Sequence, residues 1–103
     1  MLDKDELQQL YKDCLNHWGF EAQVSIVQEE CLELALEVSR LERGREEAIE
    51  HLVEEVADVY LMIHQMIEYF GEERVMAYVD MKSDRVKKKL ERYKDKLNAN
   101  MLG

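Results

Sequence analysis

Apolar residues recur every three or four positions along almost the whole chain, which is the period of amphipathic α-helices. The first of these segments opens with Asp3 and Glu6 in the spacing of a capping box, a signature of helix N-termini. Three glycines divide the pattern into four segments, each placed to end a helix: Gly19, Gly44 and Gly71. The pattern therefore predicts an all-α protein, an antiparallel four-helix bundle-like domain that spans residues 1–103.

The two central segments predict long helices over about 21–43 and 46–70. Because a tight turn at Gly44 joins them, we expect an antiparallel helical hairpin over residues 20–70. The buried stripe of its first helix is predicted to be Phe20, Val24, Val27, Cys31, Leu34, Val38 and Leu41. That of its second helix is predicted to be Leu52, Val56, Val59, Ile63 and Ile67.

Further apolar residues lie outside the stripe of the second helix: Leu61, Met62, Met66 and Tyr69. A single chain of this length would leave part of this surface in contact with water. Because large exposed apolar patches mark interfaces, we expect an obligate homo-oligomer, either a homodimer or a dimer of dimers.

Acidic residues one helical turn apart flank both stripes: Glu30 and Glu33 in the first helix, Glu55 and Asp58 in the second. Glu33 lies 11 residues before Gly44 and Glu55 lies 11 residues after it, so the hairpin brings the two pairs level. Four carboxylates this close repel one another unless a cation lies among them. Oxygen ligands without sulfur or imidazole favour Mg²⁺, with Mn²⁺ as a second candidate. The simpler interpretation is a solvated acidic face.

The net charge, the apolar stretches and the cysteines of the chain argue against several classes of function. A formal net charge of −9 argues against non-specific nucleic-acid binding, which needs a basic surface. No stretch approaches the roughly 20 apolar residues of a membrane span, and the acidic N-terminus lacks the apolar run of a signal peptide. Cys14 and Cys31 fall on predicted apolar faces, which favours free thiols in a reducing compartment. We therefore expect a cytoplasmic protein with no membrane partner.

The last segment predicts a basic helix over residues 72–97, with residues 98–103 frayed. Between residues 82 and 96 there are eight basic and three acidic side chains, most of them expected to form a solvated face. Lys82 and Arg85 lie one turn apart where this run begins, so they are candidates for binding phosphate oxygens. Trp18, beside the Gly19 turn, is interpreted either as a core residue or as a ring on which a base stacks.

The acidic pattern resembles the signature of the MazG-like all-α nucleoside triphosphate pyrophosphohydrolases. It consists of Glu29-Glu30-x-x-Glu33 and, after 21 further residues, Glu55-x-x-Asp58, and the resemblance covers about residues 20–92. The resemblance implies that four residues bind Mg²⁺: Glu30, Glu33, Glu55 and Asp58. It also implies that Lys82 and Arg85 contact phosphates. Asp80-Met81 stand where some members have an Asn, so sugar and base contacts are not implied.

The implied reaction converts an NTP or dNTP to the monophosphate and pyrophosphate. Glu29 and Glu33 are the candidate catalytic residues that accept a proton from water, and the sequence does not choose between them. Phosphoribosyl-ATP pyrophosphohydrolase is the nearest alternative enzyme. A ferritin-like di-iron protein would need Glu-x-x-His pairs, which neither acidic pair provides. The remaining alternative is a helical interaction module without catalysis.

Overall fold

The computed structural model describes residues 1–102, which form four α-helices and no strand. The helices are α1 Lys4–Trp18, α2 Phe20–Glu42, α3 Ala48–Phe70 and α4 Glu72–Leu102. The predicted all-α class is confirmed. The chain divides into two units, the first Met1–Phe70 and the second beginning at Gly71, and each is described by itself.

α1 begins and ends as its sequence predicts. The backbone N–H of Glu6 donates to Asp3 Oδ1 at 2.8 Å, and the backbone N–H of Asp3 donates to Glu6 Oε1 at 3.5 Å, so the capping box is formed. The hydrogen bond from the Glu6 backbone, followed by one between the Asp3 carboxyl and the Glu6 side chain, lowers the pKa of Asp3. At the other end Gly19 has a φ of 86°, a left-handed conformation that glycine adopts without steric cost, and its N–H donates to the carbonyl of Leu15.

α2 and α3 form an antiparallel hairpin around a turn at residues 43–47, where Gly44 has a φ of 79°. At its open end, the rings of Phe20 and Tyr69 stack with centroids 3.9 Å apart. One turn further along α2, Gln23 Nε2 donates to Gln65 Oε1 at 2.6 Å. These two contacts fix the antiparallel register of α2 and α3, and this register places the two acidic pairs opposite each other.

The buried face of α2 differs from the predicted stripe. Gln23 and Glu37 are buried and Glu30 is half-buried, whereas four predicted core residues are exposed: Val24, Cys31, Val38 and Leu41. Apolar residues occupy two adjacent faces of this helix, so periodicity alone does not choose between them. Contact with α3 selects the face that has a polar residue in every seventh position, and the prediction for these four residues was wrong.

On α3 the prediction was also partly wrong. Met62, expected outside the stripe, is buried with 8 % of its surface exposed, whereas Val56 and Ile63 are exposed. The reason is that α1 packs mainly against α3 and covers the side that carries Met62 and Gln65. Lys12 of α1 also forms an ion pair with Glu68 at 3.8 Å.

α4 runs from Glu72 through Leu102, so fraying of residues 98–102 was wrong, while Gly103 lies outside the described residues. The segment Asn98-Ala99-Asn100-Met101 contains no proline or glycine, and extending an existing helix costs little. An ion pair between Lys88 and Asp84, 3.0 Å long and four residues apart, supports this helix. None of the helices described over residues 1–102 has the length and apolarity needed to cross a bilayer.

Candidate metal centre

Carboxylates from both helices of the hairpin meet at its middle. Glu30 of α2 and Glu55 and Asp58 of α3 each contribute an oxygen, and these three oxygens all lie within 4.8 Å of one another. Glu33, one turn beyond Glu30, is within hydrogen-bonding reach of Glu55 but lies outside that group of three. We call Glu30, Glu33, Glu55 and Asp58 the acidic cluster. Its members meet because Glu33 on α2 and Glu55 on α3 lie the same number of residues from Gly44, so the antiparallel hairpin brings the two acidic pairs level.

The charge of the acidic cluster is perturbed at Glu55. Partial burial, hydrogen bonding with Glu30 and Glu33, and repulsion from their charges raise the pKa of Glu55 to about 7. A protonated Glu55 donates a hydrogen bond to either neighbour, whereas an ionised Glu55 leaves only acceptors in contact. At pH 7, Glu55 therefore holds a proton in about half of the molecules when no other cation is bound.

The donor set fits a hard cation. Glu30 Oε2 and Glu55 Oε2 are buried, and no backbone N–H, amide, hydroxyl or basic group within residues 1–102 donates to either atom. No residue of the acidic cluster forms an ion pair within residues 1–102, where the paired acids are Glu37, Glu68 and Asp84. Because all the ligand atoms are carboxylate oxygens, Mg²⁺ and Mn²⁺ are the ions that match them best. Asp58 is exposed, so the cluster opens to solvent on one side.

The remaining predicted site residues lie outside the group of three. Glu29 is exposed on α2 beside Glu30. Trp18 is exposed at the end of α1, where its ring packs edge-on against His17. Glu30 lies ten residues after Phe20, the first residue of α2, which is about 15 Å along the helix at 1.5 Å per residue. Lys82 and Arg85 are exposed on α4, in the second unit, where the Arg85 guanidinium lies 3.8 Å from Met81 Sδ. The substrate-binding roles of Trp18, Lys82 and Arg85 stay predictions.

A cleft of about 190 Å³ adjoins the acidic cluster. Glu30 and Asp58 lie at its margin, and the other lining residues come from α1 (Leu10, Tyr11, Cys14) and α3 (Leu61, Met62, Gln65). The sequence interpretation missed this cleft and the buried pair formed by Gln23 and Gln65. A signal was present, because Gln23 precedes Glu30 and Glu37 at intervals of seven residues. Repeated polar residues at one heptad position indicate a polar seam.

No family model, curated protein or solved structure matches this chain. The resemblance to the MazG-like pyrophosphohydrolases therefore depends on the acidic motif and the basic pair alone.

Proposed function

We propose that this protein is a metal-dependent nucleoside triphosphate pyrophosphohydrolase, which converts an NTP or dNTP to the monophosphate and pyrophosphate. The observation that carries the proposal is the convergence of Glu30, Glu55 and Asp58, with Glu33 beside Glu55, on one point of the hairpin. A solvated acidic face explains this less well, since it would leave its carboxylates in water instead of burying oxygens without donors.

In this proposal the four carboxylates of the acidic cluster hold Mg²⁺ or Mn²⁺. The bound ion supplies positive charge that neutralises phosphate oxygens and favours deprotonation of the attacking water. Glu55 gives up its proton when the ion binds, because a carboxylate ligand has to be ionised. The exposed side of the cluster at Asp58 leaves access for the phosphates.

The chemical step needs a base and an acceptor of charge. Glu29 or Glu33 accepts a proton from water while the water oxygen attacks the α-phosphorus. The bond between the α-phosphorus and the bridging oxygen breaks, and pyrophosphate leaves with the electron pair. Lys82 and Arg85 stabilise the charge that develops on the leaving group. Both basic residues are exposed and therefore accessible to a nucleotide.

Self-association is the second part of the proposal. α3 exposes a row of apolar side chains spaced alternately four and three residues apart: Ile49, Val53, Val56, Tyr60 and Ile63. This is the spacing of a helix that packs against another helix. We propose that a second copy of the chain covers this row in a homodimer or a dimer of dimers, and light scattering that shows a monomer at micromolar concentration would contradict this. The single-domain, bundle-like arrangement predicted from the sequence stays part of the same proposal.

The decisive experiment incubates the full chain with Mg²⁺ and a panel of NTPs, dNTPs and phosphoribosyl-ATP, and identifies the products. We expect pyrophosphate from the triphosphates and no product in EDTA. Orthophosphate as the product would refute the mechanism even with an intact metal site. Turnover of phosphoribosyl-ATP alone would favour the alternative enzyme.

Matched variants test whether the acidic cluster is responsible. Glu55→Gln and Glu33→Gln each remove one cluster charge, and we expect each to lower kcat/KM by well over tenfold, since ~1.4 kcal/mol of transition-state stabilisation corresponds to that factor. Glu54→Gln makes the same chemical change at an exposed position next to Glu55, so its activity should stay within about twofold of the unmodified protein. Equal losses in the Glu54 and Glu55 variants would argue against a role for the cluster.

A further inference from the structure

Two glutamines form a buried polar pair where a helix hairpin usually has apolar residues. Gln23 and Gln65 are exposed by only 3 % and 6 %, and Gln23 Nε2 donates to Gln65 Oε1 at 2.6 Å. Gln65 Nε2 has the Met62 sulfur as its partner at 3.5 Å, a weak acceptor, and Gln23 Oε1 has no donor within residues 1–102.

Gln65 also lines the cleft beside the acidic cluster, so its side chain borders any molecule bound there. The neighbouring walls are apolar, from Leu10 and Tyr11 on α1 and Leu61 and Met62 on α3. A mostly apolar pocket with a small number of placed polar groups is the usual form of a small-molecule site. The hydrogen bond from Gln23 fixes the Gln65 amide in place before any ligand arrives.

The size of the cleft indicates which kind of ring fills it. An enclosed apolar cavity of about 150 Å³ accommodates benzene, and the about 190 Å³ of this open cleft matches the volume of one six-membered ring with small substituents. The fused rings of a purine would extend past the rim of the cleft into solvent, and would therefore be held by fewer contacts. Cytosine, uracil and thymine each present neighbouring donor and acceptor groups, which an amide side chain can meet with its own acceptor and donor.

We propose that this cleft binds a pyrimidine base, with Gln65 as the residue that reads the base edge and Gln23 as the residue that positions it. The inference rests on the proposed function for its ligand, because Glu30 and Asp58 belong to both the cleft margin and the acidic cluster. One nucleotide would therefore place its base in the cleft and its phosphates at the cluster. The protein would select pyrimidine nucleotides over purine nucleotides.

The first test follows binding without turnover. The ¹⁵N-labelled full chain is titrated with CMP, UMP, AMP, GMP and ribose 5-phosphate in the presence of Mg²⁺, and the side-chain amide signals are observed by NMR. The Gln65 signal is assigned by its loss in Gln65→Leu. We expect CMP or UMP to shift it, and AMP, GMP and ribose 5-phosphate to leave it unchanged. An unchanged Gln65 signal with every nucleotide, or an equal shift with purines, would overturn the proposal.

The second test measures selectivity in variants. Gln65→Leu should reduce the ratio of kcat/KM for pyrimidine over purine triphosphates at least tenfold, whereas Gln28→Leu, an exposed glutamine of α2, should leave it unchanged. Because Gln65→Leu risks unfolding a buried pair, Leu61→Trp provides a second variant that fills the cleft from a partly exposed position. We expect Leu61→Trp to weaken CMP or UMP binding at least tenfold while the thermal midpoint changes little. Full pyrimidine binding in Leu61→Trp would contradict a base in the cleft.

The two proposals fail separately. Pyrophosphate release with unchanged Gln65 signals would leave the proposed function standing and remove the base site. Selective NMR shifts with CMP or UMP, but no pyrophosphate from any triphosphate, would leave the base site standing and remove the proposed reaction.

Discussion

Competition between a proton and a metal ion at Glu55 is the most direct consequence of the acidic cluster. Partial burial and the neighbouring carboxylates of Glu30 and Glu33 raise the pKa of Glu55 to about 7. A metal ion binds the ionised form, so every bound ion displaces whatever proton Glu55 holds. We therefore expect Mg²⁺ to bind more tightly as pH rises toward 7, and its affinity to level off above about pH 8.

The magnitude follows from a single proton with a pKa of about 7. At pH values well below this pKa, the dissociation constant for Mg²⁺ should fall about tenfold for each unit by which pH rises. Binding should release about 0.9 proton per ion at pH 6, about 0.5 at pH 7 and about 0.1 at pH 8. Isothermal titration calorimetry in buffers of different ionisation enthalpy measures this release directly, with Mn²⁺ as the ion if Mg²⁺ binds too weakly.

Glu55→Gln and Glu54→Gln provide the matched comparison. Glu55→Gln removes the titrating carboxyl and should bind the ion more weakly, with little dependence on pH between 5.5 and 8, about the span over which Glu55 titrates. Glu54→Gln changes the exposed neighbour and should keep the pH dependence of the unmodified protein. Constant affinity in the unmodified protein over this range, or the same pH dependence in Glu55→Gln, would refute our account of the cluster.

The same shift affects the stability of the metal-free protein. Because the folded-state pKa of Glu55 is above the unfolded value of about 4.5, folding binds a proton between these two pH values. This stabilising contribution is fully present below about pH 4.5 and is lost as pH rises through about 7. The test is the difference in free energy of unfolding between the unmodified protein and Glu55→Gln, measured in EDTA. This difference should fall as pH rises from about 4.5 through about 7. At pH 8, saturating Mg²⁺ should restore the lost stability of the unmodified protein.

Four further outcomes are expected. Mg²⁺ at 100 times its dissociation constant should stabilise the fold by about 2.7 kcal/mol, and an unmoved melting temperature relative to EDTA would contradict the site. Met62→Ala should lower the free energy of unfolding by about 2–5 kcal/mol in denaturant titrations, because Met62 is one of the few buried apolar side chains of residues 1–102. Gln23→Leu alone should cost about 1–3 kcal/mol, since Gln65 loses its partner, whereas replacing both glutamines should cost less in the same titrations. Lys82→Ala should raise KM for the triphosphate without changing Mg²⁺ affinity, and Lys88→Ala, whose partner is Asp84, should change neither.

Local sequence features determined the helices. Their ends follow from the Asp3 capping box and from glycines that adopt positive φ, which are interactions within a few residues along the chain. The level arrangement of the two acidic pairs was also predictable, because a short turn fixes the register of the helices that it joins. The sequence therefore predicts the group formed by Glu30, Glu55 and Asp58, whose oxygens lie together in the structure.

Tertiary structure decided which faces of these helices are buried. α2 has apolar residues on two adjacent faces, and the contact with α3 buried the face of Gln23 and Glu30 instead of that of Val24 and Cys31. That choice depends on the shape and polarity of the opposing helix, which periodicity along one segment does not record. The pairing of Gln23 with Gln65, the cleft against α1 and the raised pKa of Glu55 all result from it, because each requires side chains from different helices to meet.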